Sequence, residues 1–267
     1  MPRAPKFNAV VAASLAPSPA NLFTGTSGWA YPTWKPEFYA ADVPSRAFLH
    51  VYASLLTSVE VNYTFRTLPT PTQLQGWLDA TPPGFRFSFK APQRITHFQR
   101  LRNSQEAVAE FVAALQPARE AGKLGPLLFQ LPPNFAADPA RLKDFLALPA
   151  FDGSLPLAFE FRHPSWFSEE TYEILRQHNA ALCVAESNDL ASPDVRTAKH
   201  RCYRLRRDGG YSPAELNAFA ARFTALAKEG EVFVYFKHED EPTGALNALA
   251  MLRRAAELAD LSGAGVR

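Results

Sequence analysis

Charged and amide side chains recur at alternate positions near the ends of three short segments. In Ala158-Phe159-Glu160-Phe161-Arg162, an extended chain puts Glu160 and Arg162 on one side and Phe159 and Phe161 on the other. Val59-Glu60-Val61-Asn62 does the same with Glu60 and Asn62, and Arg86-Phe87-Ser88-Phe89-Lys90 with Ser88 and Lys90. A carboxylate beside a guanidinium supports two chemistries. It is either a buried ion pair that fixes a scaffold, or a site where the acid orients an arginine. Such an arginine grips phosphate or carboxylate through two parallel hydrogen bonds. For Arg162 the second reading is favoured, because His163 and Trp166 follow it closely.

Other candidates extend this set. Gln130 ends an apolar run, Glu186 ends another, and Arg204 lies inside a third. A buried Lys or Arg needs a partner, and Glu60, Glu160 and Glu186 are the acids at hand. Lys90, Arg162, Arg204 and Lys237 outnumber them, which tilts the reading toward a cationic pocket. Its substrate is then a small anionic molecule, phosphorylated or carboxylated, or a polyhydroxylated one. Arg162, Lys90 and Arg204 bind the anion, Glu160 or Glu186 transfers protons, and His163 or His97 assists. Asn62, Glu60 and Gln130 orient polar groups. The three acids with His163 and His97 also suit a divalent metal such as Mg or Mn. The neighbouring cations argue against a closed metal cage, so no metal ligand is assigned. Trp29, Tyr31, Trp34 and Trp166 form either a wall for stacking on a sugar or nucleobase, or the packing of long loops.

The elements that position these residues follow from periodicity. Strand patterns fall at 22–26, 58–62, 86–90, 127–131, 157–162, 181–186, 202–205 and 232–237. Helical patterns fall at 45–57, 71–80, 104–121, 139–148, 169–178, 213–228 and 244–259, and Pro117 ends or kinks the third. Ser212-Pro213-Ala214-Glu215 is a capping box with proline at the first helical position. Eight strands alternating with helices predict an α/β fold. It is a single (β/α)8 TIM-like barrel over 21–262, with a weak or missing helix between strands six and seven, at 188–200. In such a barrel the C-terminal strand ends carry the site. An open doubly wound sheet usually carries a Gly-rich phosphate turn, and Gly25-Thr26-Ser27-Gly28 is not one. Residues 1–20 read as a disordered tail rich in Ala, Pro and Ser, and 263–267 as a C-terminal tail.

Composition narrows the class. The 267 residues are 47% hydrophobic with 21 Phe, enough for one large, bulky core. A net charge of +2 and a sequence pI near 8.5 give no global attraction to nucleic acid or acidic membranes. No apolar run approaches the ~18 residues of a membrane span. Cys183 and Cys202 sit in apolar strand patterns and read as two reduced buried thiols, which fits a cytoplasmic location.

The longer motifs resemble a known family. Gly25-Thr26-Ser27-Gly28-Trp29-Ala30-Tyr31, Val59-Glu60-Val61-Asn62-Tyr63-Thr64-Phe65 and Phe87-Ser88-Phe89-Lys90-Ala91-Pro92 are similar to motifs of the YecE-like proteins, the domain-of-unknown-function 72 family. So are Gly125-Pro126-Leu127-Leu128-Phe129-Gln130-Leu131-Pro132-Pro133 and Phe159-Glu160-Phe161-Arg162-His163-Pro164-Ser165-Trp166. The resemblance implies a TIM-like barrel and no assigned activity. This sequence departs from the family pattern at Arg66, at Glu186, at Arg206-Arg207 and at Lys237-His238. The last two changes add positive charge near the predicted site. That charge, with Arg204 and aromatics for stacking, supports an alternative reading as a nucleic-acid-binding or nucleic-acid-processing protein. A non-catalytic metabolite-binding module is a second alternative.

Overall fold

The computed structural model of the chain describes residues 19–186, 190–237 and 240–264. Most of the predicted N-terminal tail, Asn188, His238 and the last three residues lie outside that range. Eight strands form one sheet: β1 Leu22–Thr26, β2 Ser58–Val61, β3 Arg86–Lys90, β4 Leu124–Gln130, β5 Leu157–Glu160, β6 Ala181–Glu186, β7 Arg201–Leu205 and β8 Val232–Phe236. Their order is β1-β8-β7-β6-β5-β4-β3-β2, with every hydrogen-bonded pair parallel. The helices are α1 Phe48–Leu55, α2 Pro71–Asp79, α3 Gln105–Ala114, α4 Gln116–Glu120, α5 Pro139–Leu146, α6 Glu169–Gln177, α7 Pro213–Ala227 and α8 Thr243–Ala264. The result is a nearly closed (β/α)8 barrel.

Local chemistry sets the helix starts. Thr70, Asp138 and Ser168 accept backbone N–H bonds at the starts of α2, α5 and α6, and Ser212 with Glu215 forms the capping box of α7. Pro117 does not kink a continuous helix. The chain breaks at Leu115, and Pro117 sits in the first turn of α4, where its missing N–H costs nothing. Between β6 and β7, residues 190–200 contain no helix. Helix α8 runs to Ala264, beyond the expected end at 259 and into the expected tail.

β4 begins three residues before the expected Leu127. Gly125 and Pro126 punctuate the sequence but lie inside the strand, where the β3–β4 register shifts to accommodate them.

Outside the strands, Phe87, Phe89, Phe129, Phe159 and Phe161 form a buried layer under the helices, with Phe129 stacked on Phe159 at 5.2 Å. Each buried Phe contributes about 1.5–3 kcal/mol. Inside the barrel, Phe23, Leu128, Ala158, Cys183, Cys202, Phe233 and Tyr235 plug the lower half, and Phe23 stacks on Phe233 at 4.8 Å. Cys183 and Cys202 are register partners on adjacent strands, both free and buried.

The seam between β1 and β2 closes differently. Thr57 N–H donates to the Thr24 carbonyl at 3.1 Å. Beyond it, the Tyr52 hydroxyl on α1 accepts from Thr26 N–H at 2.8 Å and donates to the Ser58 carbonyl at 3.0 Å. A side chain thus replaces rungs of the missing ladder. Gly25 permits this approach: a Cβ there would stand 1.8 Å from the Ser58 oxygen.

Candidate functional site

Strand alternation decides which residues face the axis. Register pairs Gln130 with Glu160 and Ala185 with Arg204, so inward positions meet in layers. Above the apolar plug, Ser58 Oγ lies 2.8 Å from the Tyr235 hydroxyl. Above that lies an ionic layer. Arg204 reaches Glu60 through Nε at 2.8 Å and Nη2 at 2.7 Å, and donates to Glu160 through Nη1. Ser27 Oγ donates to Glu60 at 2.8 Å, Gln130 Nε2 to Glu160 at 2.7 Å, and Arg162 Nε to Glu160 at 3.0 Å. Glu60, Glu160 and Arg204 are each at most 1% exposed.

The electrostatics follow from that geometry. Burial pushes the Glu160 carboxyl up, but Arg204 and Arg162 outweigh it and bring the net value down to about 2. Burial likewise opposes ionisation of Glu60, and Arg204 again wins, so its net shift is downward. Both acids are therefore carboxylates at neutral pH and cannot donate a proton there.

The mouth above this layer is a cavity of about 350 Å³ at the C-terminal strand ends, lined by Pro133, Glu160, Phe161, Arg162, Ala185, Leu190, Ser192, Arg206, Asp208 and Lys237. Lys237 pairs with Asp208. Arg162 uses only Nε for Glu160 among the described residues, leaving its two terminal nitrogens without such a partner. Arg206 has no hydrogen bond or ion pair among the described residues, and burial followed by the Arg204 charge lowers its pKa.

Lys90 also faces inward, at the end of β3. Its Nζ stands 4.3 Å from the centre of the Phe65 ring and makes no hydrogen bond or ion pair among the described residues. Burial and then Arg204 lower its pKa to about 8. His97 meets the same Phe65 ring at 5.0 Å, nearly perpendicular, and its Nδ1 lies 2.9 Å from Thr96 Oγ1. Burial and then Lys90 lower the His97 pKa.

Several expected positions differ. Glu186 does not join the acids in the mouth. Cys183 and Ala185 face the axis, so Glu186 points outward, where Tyr211 donates to it at 3.2 Å and Arg207 lies 3.8 Å away. Arg204 is held by its two carboxylates through three of its five N–H groups, is 1% exposed and does not line the cavity. His163 Nδ1 accepts from Ser165 N–H at 3.3 Å, capping the turn Pro164–Trp166, and His163 does not line the cavity. Trp166 is fully buried. Its Nε1 donates to the Phe135 carbonyl at 2.7 Å and its ring stacks on Phe161 at 4.7 Å, so it is core and not a stacking wall. Trp34 is also core.

Trp29 and Tyr31 line a second cavity of about 510 Å³ with Asn62, Tyr63 and Trp77. Asn62 therefore sits beside this outer cavity, where its buried Oδ1 has no hydrogen-bond partner among the described residues. Glu60 and Glu160 are committed to Arg204, and no group of three His, Cys, Asp or Glu side chains suited to a metal converges among the described residues. Arg206 was visible in sequence only as added charge, although the alternation Arg204-Leu205-Arg206 places it on the same face as Arg204.

Fold and mouth together define a (β/α)8 barrel with surplus positive charge above a buried Arg–Glu layer. Residues 23–264 match the family described as "Protein of unknown function DUF72", and the chain belongs to that family. It is 30% identical to UPF0759 protein YunF of Bacillus subtilis, over 92% of this chain and 97% of that one. It is 32% identical to UPF0759 protein YecE of Escherichia coli K12, over 55% of this chain and 51% of that one. The crystal structure of a DUF72 family protein from Thermotoga maritima superposes with a TM-score of 0.75 at 27% identity, covering 90% of this chain and 99% of that one. No helix among the described residues is long and apolar enough to cross a membrane.

Proposed function

We propose that the protein is an enzyme that binds a small anionic metabolite in the barrel mouth and acts on it by proton transfer. The observation that carries this reading is the charge balance of the mouth. Four cations, Lys90, Arg162, Arg204 and Arg206, face two carboxylates, Glu60 and Glu160, and Arg204 takes both carboxylates. Lys237 and Asp208 add one charge of each sign to the same wall and pair with each other, and the Arg206 guanidinium and the terminal nitrogens of Arg162 make no ion pair there among the described residues. A partly desolvated guanidinium without a partner is costly, and a phosphate or carboxylate would complete it through paired hydrogen bonds.

The acids of the ionic layer then position Arg162 and Arg204 and do not transfer protons. That role falls to Lys90 and His97, the groups around Phe65 whose pKa values are lowered. A nucleic-acid surface is less well supported. Arg204 is buried, Arg207 pairs with Glu215, and Trp34 and Trp166 are packed in the core. The cavity suits a compact ligand better than a strand.

A melting-temperature panel of phosphorylated sugars, carboxylates, neutral sugars and short oligonucleotides tests this. A ligand present at a hundred times its Kd adds ~2.7 kcal/mol, or roughly 5–10 °C. Stabilisation confined to anionic small molecules, and lost in Arg206→Ala, is the expected result. Stabilisation by oligonucleotides alone would overturn the reading.

A further inference from the structure

We infer that Lys90 is a carbonyl-reactive amine and that the mouth takes small anions bearing an aldehyde or ketone group, which Lys90 holds as an imine. The inference rests on the anion-binding reading above and adds the substrate class and the covalent step.

The geometry singles out Lys90, which ends β3 beside the mouth rather than in the cavity lining itself. Arg204 is enclosed by carboxylates and Lys237 is paired with Asp208. Arg162 and Arg206 carry guanidinium groups, which stay protonated and are not nucleophiles. Lys90 alone of these five is an amine with no hydrogen bond or ion pair among the described residues. It is half-buried at the end of β3, against the Phe65 ring at 4.3 Å, with Arg204 and Arg162 acting as neighbouring like charges. Desolvation and nearby cations are the two conditions that activate a lysine as a nucleophile. Glu60 and Glu160 act the other way, but neither forms an ion pair with Lys90 among the described residues, and burial with the Arg204 charge outweighs them. With a pKa of about 8, roughly 10% of Lys90 is free amine at neutral pH, against on the order of 0.03% for an ordinary lysine.

The step balances with the groups present. The neutral Nζ adds to the carbonyl carbon, forming the N–C bond while the C=O π pair moves to oxygen. A proton passes from nitrogen to that oxygen, giving a carbinolamine. A second proton, which His97, packed edge-on against the same Phe65 ring, is proposed to supply, lets the C–O bond break and water leave. The product is a protonated imine that draws electrons from the adjacent carbon. Arg162 and Arg206 are placed to hold the anionic end. No oxidant or reductant is consumed.

The test incubates the full-length protein with glyoxylate and sodium cyanoborohydride, which reduces an imine to a stable carboxymethyl-lysine, and maps adducts by peptide mass spectrometry. Lys90 should label at least ~10-fold faster than any other lysine near neutrality. Its rate should level off above pH about 8, while surface lysines continue to gain. Lys90→Arg should lose the adduct and keep both the melting temperature and stabilisation by inorganic phosphate. Phosphate should slow the wild-type labelling. Equal labelling of many lysines, unchanged in Lys90→Arg, overturns the inference. If phosphate still stabilises the protein in an Arg206-dependent way, the anion-binding reading stands without it. Selective Lys90 labelling that neither phosphate nor Arg206→Ala alters would support the reactive amine and remove the anion site.

Discussion

Arg204 on β7 and Glu60 on β2 form a two-point ion pair, at 2.8 and 2.7 Å, although neither strand is a sheet neighbour of the other. Each is at most 1% exposed. With Glu160 as second acceptor, Arg204 ties together three strands across the axis beneath the cavity that Glu160 lines.

Removing Arg204 should therefore be far worse than removing the whole set. Arg204→Met leaves the buried Glu60 without its ion pair and Glu160 with Arg162 alone, and should cost about 3–5 kcal/mol in urea unfolding. The triple variant Arg204→Met, Glu60→Gln, Glu160→Gln should recover part of that loss. Equal loss in both would show that the pair contributes only packing.

Acid should attack the same layer. The Glu160 pKa falls to about 2 and that of Glu60 falls below the usual carboxylate range, so both bind protons less readily folded than unfolded. Their contribution is fully present above the unfolded pKa and is lost as pH drops through the folded one. Urea midpoints should decline as pH falls from about 4.5 toward 2. The triple variant should show a shallower decline. An identical slope would place the titrating acids elsewhere.

The barrel seam makes a separate prediction. Tyr52→Phe removes the hydroxyl that bridges Thr26 and Ser58, leaving a buried N–H and a carbonyl unpaired. The cost should be about 1–3 kcal/mol, with faster hydrogen exchange at the Thr26 amide. Unchanged exchange there would mean the seam closes without Tyr52.

The inward set was legible where strands alternate cleanly. Glu60, Glu160 and Arg162 could be placed because Val59, Val61, Phe159 and Phe161 marked the opposite face. Glu186 could not, because Ala181 to Ala185 is apolar on both faces and carries no parity signal. Trp166 illustrates another limit: an aromatic near a strand end has the same composition signal whether it lines a wall or packs against Phe161. Arg204 read as a ligand-binding cation because partner choice across an axis depends on barrel closure, which local spacing does not encode. The Tyr52 bridge was hidden for the same reason.

Anion capture at the mouth is the central claim, and calorimetric titration with inorganic phosphate at low salt tests it most directly. The wild type should bind at one site per chain. Arg206→Ala should weaken that binding at least ~10-fold, a difference of 1.4 kcal/mol. Its unfolding midpoint should hold, because Arg206 makes no hydrogen bond or ion pair among the described residues. Undetectable phosphate binding by the wild type, or equal affinity in Arg206→Ala, would contradict the account.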